Sequence, residues 1–368
     1  MIAAAVLTSP TRKQGVSLIP CLRVGLVKRD RRRTARKAIL SGFAALLIAH
    51  AGLALAVETK KPEWRDPEFF HRVQQVAALT QRDTRPLVVI LGGSRPQTGL
   101  DPEEFGDAVL AYNCSQSGCL PVGERLNFIR LMDAGVTPRF VLIEVLPPVL
   151  ADPGPMDERF PPVRLSRNDL EQLRPYQVDP ARVEREWMKQ RLNSWQSLRV
   201  PLLANWGLAE AFPTRNDPHA LWSAMSPRGW SPAEPKKWDD AQRQHRTRVA
   251  HRTYSWLLND FAIQPVNDRA YRDLLAECRE RGIHAALFVM PESPTFRSWY
   301  PPDVRERVND YLQGLSREFG VPLFDASNWI DDEESFLDGH HLLRPAASAF
   351  SERFGRECVQ PWVRAKCE

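Results

Sequence analysis

The sequence predicts an α/β fold, a three-layer α/β/α sandwich with helices on both faces of a five-stranded, mostly parallel sheet. Three observations point to it. Short apolar runs alternate with longer segments of helical period. The run Leu87 to Leu91 is wholly apolar, as expected of a strand covered on both faces. Glycines at 135 and 282 close two of the helical segments. Strands that alternate with helices pack as a sheet between helical layers.

In chain order, Leu87–Leu91 is the first strand and Pro102–Leu110 a helix opened by Asp101 and Pro102. Ala111–Cys114 is a second strand, and Pro121–Ala134 a helix with Leu126, Ile129, Arg130 and Asp133 at helical spacing. Phe140–Leu146 carries the strongest strand signal, and Leu150 to about Pro265 forms an insert between strands three and four. The insert holds seven of the eleven tryptophans, at 187, 195, 206, 222, 230, 238 and 256, and is too long for a plain loop. Helices are expected at Pro180–Leu198 and Asp239–Leu258. Its aromatics either stack on a substrate or pack a small subdomain against the sheet. Beyond it come a helix at Val266–Arg281, strands at Ala285–Met290 and Pro322–Asp325 flanking a helix at Val304–Phe319, and a last helix at Pro345–Cys358. The expected domain runs from 87 to 358, after a linker and first helix at 58–86 and before a tail at 359–368.

In such a sheet, ligands sit at the strand C-terminal edge. Gly92-Gly93-Ser94-Arg95 follows the first strand, and Asp338-Gly339-His340-His341 follows the fifth. A serine hydroxyl is a weak nucleophile until a base takes its proton, and the base needs an acceptor on its other ring nitrogen. Ser94, His341 and Asp338 are therefore the candidate catalytic residues. Either motif alone is commonly a turn or a helix cap; their joint placement on one edge is the stronger signal.

At these residues the sequence resembles the SGNH (GDSL-type) hydrolase superfamily, over about Leu87 to Phe354 with the insert interrupting. The resemblance implies a flavodoxin-like sheet, Ser94 as nucleophile, Asp338 as orienting acid and His341 as base by the Asp-x-x-His spacing. His340 is the competing imidazole and is expected to be exposed. The backbone N–H groups of Ser94 and Gly118 are the implied oxyanion hole. Ser115 and Ser117 are weaker nucleophile candidates, because their segment lacks the first glycine of a nucleophile elbow. Members often carry Asn after the third strand; here Glu144 stands there, and Arg95 and Glu144 are candidate substrate contacts. A divergent subgroup with an N-terminal membrane helix, which includes proteins that modify cell-surface polymers, is the better match.

Charge and hydropathy place the partners. Residues 1–37 hold ten Lys or Arg against Asp30, a share of +9 in a total of +5, which leaves −4 for the rest. A slightly acidic body argues against nucleic acid. Ala38–Val57 is apolar over about 20 residues, enough to span roughly 30 Å of hydrocarbon as a helix. Basic residues before it and Glu58 after it fit a single-pass inner-membrane protein with its catalytic domain in the periplasm. Cleavage near Ala56 and secretion is the alternative. A true start near Val27 is a further expectation.

Cys114 with Cys119 and Cys358 with Cys367 are candidates for local disulfides, and Cys278 for a buried thiol. No Cys/His cluster has zinc spacing, so neither metal nor cofactor is expected.

The function expected is that of an extracytoplasmic serine esterase or O-acyltransferase on acyl esters of envelope polysaccharide or a related small ester. An integral membrane acyl carrier is a partner left open. The alternative is a catalytically weak or inactive binding or assembly protein of the same fold. Nucleotide binding through Gly92-Gly93-Ser94 is disfavoured, since the dinucleotide and Walker patterns are absent.

Overall fold

The computed structural model describes residues 22–60, 62–154, 160–205, 225–235 and 238–367. The basic residues among 1–21, with Trp206 and Trp222, lie outside them. The chain divides into two compact units, Met1–Gly52 and Leu53–Glu368. The first holds most of α1 (Leu22–Thr59), whose stretch Arg32–Thr59 is by length and composition apolar enough to cross a membrane.

The second unit is built on five parallel strands: β1 (Leu87–Leu91), β2 (Leu110–Asn113), β3 (Phe140–Glu144), β4 (His284–Val289) and β5 (Leu323–Asp325). Their spatial order is β2-β1-β3-β4-β5, all neighbours parallel. This is the flavodoxin-like order. Successive side chains of a strand point to opposite faces. Val89, Leu91, Tyr112, Val141, Ile143 and Leu287 accordingly enter one core, while Val88, Ile90, Ala111, Leu142, Ala286 and Phe288 enter the other.

Helices α2 (Pro67–Thr80) and α4 (Pro121–Asp133) cover the first face, and α3 (Ser94–Gly99) follows β1. The insert supplies α5 (Arg167–Leu173), α6 (Pro180–Leu192), α7 (Ser194–Asn205) and α8 (Asp240–Asn259). Then come α9 (Pro265–Glu280), the single turn α10 (Pro294–Arg297) and α11 (Pro302–Phe319), of which α9 and α11 complete the first face. The second face lies under α12 (Arg344–Phe354) and α13 (Gln360–Cys367).

The insert is pinned at its neck. Asn267, fully buried at the start of α9, donates from Nδ2 to the carbonyl of Val149 at 2.8 Å, and Gln264 N–H donates to Leu150 at 2.8 Å. Two of its tryptophans serve packing: Trp187 donates to Leu165 O, and Trp230 enters the second core and donates to Thr98 O. Trp195 and Trp256 are exposed.

Several expected elements differ. Pro102–Leu110 forms only a 3-10 turn, Pro102–Phe105, because Gly106 adopts φ +81°. A Cβ there would also stand 2.5 Å from Gln360 Nε2. The insert helix expected over 180–198 breaks at Asn193, which leaves helical geometry at φ −113° and ψ 46°. The last helix does not stop at Cys358. A π-helical turn, Gly355–Val359, passes it into α13, and Trp362 packs edge-on to Phe140 at 5.0 Å. The expected tail is thus part of the second core.

The cysteines are corrected as well, since 114, 119, 358 and 367 are all free. Cys114 points into the first core, whereas Cys119 Sγ faces Asn127 Nδ2 at 3.7 Å. Cys358 and Cys367 lie on one continuous helical stretch about 13 Å apart, beyond disulfide reach.

Candidate active site

Ser94 is the first residue of α3, delivered by a strand buried at every position, and it is half-buried. Two constraints shape the Gly92-Gly93 turn before it. A Cβ on Gly92 would fall 2.6 Å from Pro96 Cγ and 2.8 Å from Glu144 Cβ. A Cβ on Gly93 would stand 3.2 Å from the Cys119 carbonyl oxygen, so the loop after β2 lies against this turn. Gly92→Ala is expected to cost about 1–3 kcal/mol by forced overpacking and to misplace Ser94. Thermal unfolding of the variant measures this; an unchanged midpoint would show that the turn yields.

The second motif is a tight loop closed by a hydrogen bond from Leu337 N–H to His341 O at 2.8 Å. Gly339 takes φ +90°, a left-handed conformation that a side chain resists, and Ser293 N–H donates to its carbonyl at 2.9 Å. The loop turns Asp338 back under its own successors. His341 Nδ1 lies 2.9 Å from both Asp338 oxygens, and the His341 N–H donates to Oδ1 at 3.1 Å. His341 Nε2 lies 2.6 Å from Ser94 Oγ. The structure therefore brings Ser94, His341 and Asp338, from opposite ends of the domain, into one hydrogen-bonded chain.

Asp338 is buried, which by itself would raise its pKa. The charges and hydrogen bonds of His341 and His340 outweigh that and hold the carboxyl well below the usual range.

His340 is not exposed as expected. It is 4% exposed, stacked on Phe296 with ring centroids 5.2 Å apart and set edge-on to Tyr254 of α8. Burial lowers its pKa, against the opposing pull of Asp338. Its Nδ1 is 3.1 Å from Asp338 Oδ1, so two imidazoles flank one carboxylate, and His341 is the one that meets Ser94.

Asp338, His340 and His341 also form the group of ligand atoms, among the described residues, compact enough to hold a metal ion. An ion there would compete with the hydrogen bonds that hold the His341 ring between Asp338 and Ser94.

Gly118 sits in the loop after β2 at φ +73°. That loop is tied to the serine turn by Gln116 N–H donating to Gly92 O at 3.1 Å. Ser94 N–H opens a helix, where first-turn amides have no intrahelical acceptor. Ser115, one of the weaker nucleophile candidates, is fully buried, with its N–H bonded to Asn113 Oδ1.

Arg95 and Glu144, the candidate substrate contacts, are not open to solvent. They are 1% and 2% exposed and turned toward each other beneath the serine turn. Burial raises the Glu144 carboxyl, opposed by Arg95 and by the Gly93 N–H.

Asn113 was not singled out in the sequence. It closes β2 fully buried and donates from Nδ2 to Pro96 O at 2.7 Å and Leu100 O at 2.9 Å, which braces α3. The available signal was a polar residue ending an apolar strand.

No family model matches the chain, and no curated protein matches it. Among solved structures it is similar to one described as a "putative acylhydrolase" from Bacteroides fragilis. The TM-score is 0.36 and the identity 11%, with 80% of this chain and 95% of that chain covered.

Proposed function

We propose that the chain is an SGNH-type serine esterase or O-acyltransferase, with Ser94 as nucleophile, His341 as base and Asp338 as the orienting acid. The observation that carries this reading is the 2.6 Å contact between Ser94 Oγ and His341 Nε2, with Asp338 at 2.9 Å from the opposite ring nitrogen. Ser94 Oγ attacks an ester or thioester carbonyl while His341 takes the proton. Asp338 stabilises the imidazolium that forms. Negative charge on the former carbonyl oxygen is met by the N–H groups of Ser94 and Gly118. Collapse expels the alcohol or thiol, which receives the proton back from His341. Water then resolves the acyl-enzyme in an esterase, and a sugar hydroxyl does so in a transferase.

The apolar helix α1 supports a membrane-anchored protein whose second unit faces the extracytoplasmic side, and hence an acyl ester of envelope polysaccharide as substrate. An integral membrane acyl carrier fits the transferase form.

The test is covalent labelling by a fluorophosphonate followed by peptide mapping. A single adduct on Ser94, absent from His341→Ala, is the expected result. An unlabelled Ser94 would favour the binding or assembly protein, a reading that rests on Glu144 standing where related sequences often carry an oxyanion-binding Asn.

A further inference from the structure

The turn that carries Ser94 is held from below by buried charge. Glu144 ends β3, and its Oε2 accepts the Gly93 N–H at 2.9 Å. Its Oε1 faces Arg95 Nε at 3.4 Å. Arg95, next to the nucleophile in sequence, donates to the Met290 carbonyl at 2.5 Å, and its Nη1 lies 3.6 Å from Glu292 Oε1. Glu292, 3% exposed, accepts from Tyr300 OH at 2.8 Å. One guanidinium between two carboxylates thus ties together the C-terminal ends of β1, β3 and β4.

Such a cluster is a poor way to gain stability, because taking ions out of water costs about what their pairing returns. It is a good way to fix geometry. Glu144 Oε2 accepts the Gly93 N–H, while Oε1 meets Arg95 as an ion pair without a hydrogen bond; both neighbours oppose the burial that raises the carboxyl. That carboxyl is bonded to Gly93, one residue before a serine whose hydroxyl touches His341.

We propose that Glu144, held beside Arg95, is a positioning residue of this site: by accepting the Gly93 N–H it orients the Gly93–Ser94 peptide and so keeps Ser94 Oγ in reach of His341 Nε2. This rests on the Ser94–His341–Asp338 reading and goes beyond it. Where the nucleophile turn would otherwise rely on backbone contacts alone, a carboxylate acts from beneath the sheet edge without touching substrate.

The other ionisable groups around the pair are Arg95 after α3's first residue, Glu292 after β4, Asp338 and His340 in the base loop, and Tyr254 on α8. Glu124 on α4, Cys119 in the loop before it and Tyr271 on α9 complete the set; Tyr271 OH donates to the Glu144 carbonyl at 3.1 Å.

The experiment uses the full chain in detergent micelles and two readouts. The first is the rate of Ser94 labelling by a fluorophosphonate between about pH 5 and 9. The second is the split between kcat and KM for 4-nitrophenyl acetate. Glu144→Ala leaves the Gly93 N–H without its acceptor, so labelling and kcat are expected to fall roughly 10-fold while KM holds. Glu144→Asp falls short of Gly93 and is expected to behave alike, whereas Glu144→Gln keeps an acceptor oxygen for the Gly93 N–H and is expected to recover most of the loss.

A merely structural role would lower the folded fraction of all three variants and give Glu144→Gln no advantage over Glu144→Ala. A wild-type rate in Glu144→Ala, or a Glu144→Gln as slow as Glu144→Ala, overturns the proposal. Should the wild type itself fail to label, the nucleophile reading falls by itself, and the shift of the Gly93 amide resonance in Glu144→Ala still decides whether Glu144 holds the turn.

Discussion

Ser94→Ala is expected to reduce kcat/KM for 4-nitrophenyl acetate by about 10⁴-fold or more, with the fold and unfolding midpoint unchanged. The size follows from the chemistry. Removing Oγ deletes the attacking atom, so what remains is hydrolysis by water helped only by oxyanion donors. The substitution is also structurally mild, since the hydroxyl is half-buried and its contact is the His341 ring. His341→Ala should cost a similar factor, and the double variant little more than either, because the two act as one unit. Hydrolysis by the full chain and these three variants in the same detergent is the measurement. If Ser94→Ala keeps a tenth of wild-type turnover, another group is the nucleophile.

Arg130→Met should lower stability by about 3–5 kcal/mol. Arg130, 8% exposed on α4, makes a two-point contact with Asp169, from Nε at 3.0 Å and Nη2 at 2.8 Å. Its Nη1 donates to Asp66 at 3.1 Å, and it also bonds the Arg164 carbonyl at 3.0 Å. Burial alone would lower the guanidinium pKa; Asp169 and Asp66 outweigh it and hold the group above its ordinary value. Loss of Arg130 strands two buried carboxylates, which costs more than the pairing contributed. The triple variant Arg130→Met/Asp66→Asn/Asp169→Asn removes that penalty and should recover much of the loss. Urea unfolding followed by tryptophan fluorescence checks both, and a single-variant loss under about 1 kcal/mol would mean that water reaches the pair.

Much of the sheet was legible because buried parallel strands are short and apolar, and their signal is local. All five strands fall within one or two residues of expectation. The Pro102 helix was misjudged because Asp101-Pro102 is a good start signal, whereas the stop depends on Gly106 packed under Gln360, a residue more than 250 positions later. The continuation through Cys358 was hidden for a related reason: Trp362 is placed by Phe140 and Phe324, not by its neighbours in sequence.

At the site, the Asp-x-x-His spacing carried its own geometry, since a carboxylate can reach an imidazole three residues on across one tight loop. The burial of His340 could not be read, because Phe296 and Tyr254 arrive from separate elements. Arg95 and Glu144 looked like substrate contacts because charge near a catalytic edge usually is exposed. A Glu ending an otherwise apolar strand was the clue to a buried partner. Arg130 carried the same clue, a charge set within the apolar spacing of its helix.

Ser94 and His341 are separated by 247 positions. At synthesis rates of about 5–20 residues per second, roughly 10–50 s pass between the appearance of the hydroxyl and that of its base. Throughout that interval the nascent chain carries a serine whose proposed base has not yet been made. On that reading, a truncated product ending just before Asp338 would be chemically silent however well its five strands paired. If the proposed triad holds, reactivity toward esters arises late and all at once, and it reports that the loop beyond β5 has closed on the end of β1.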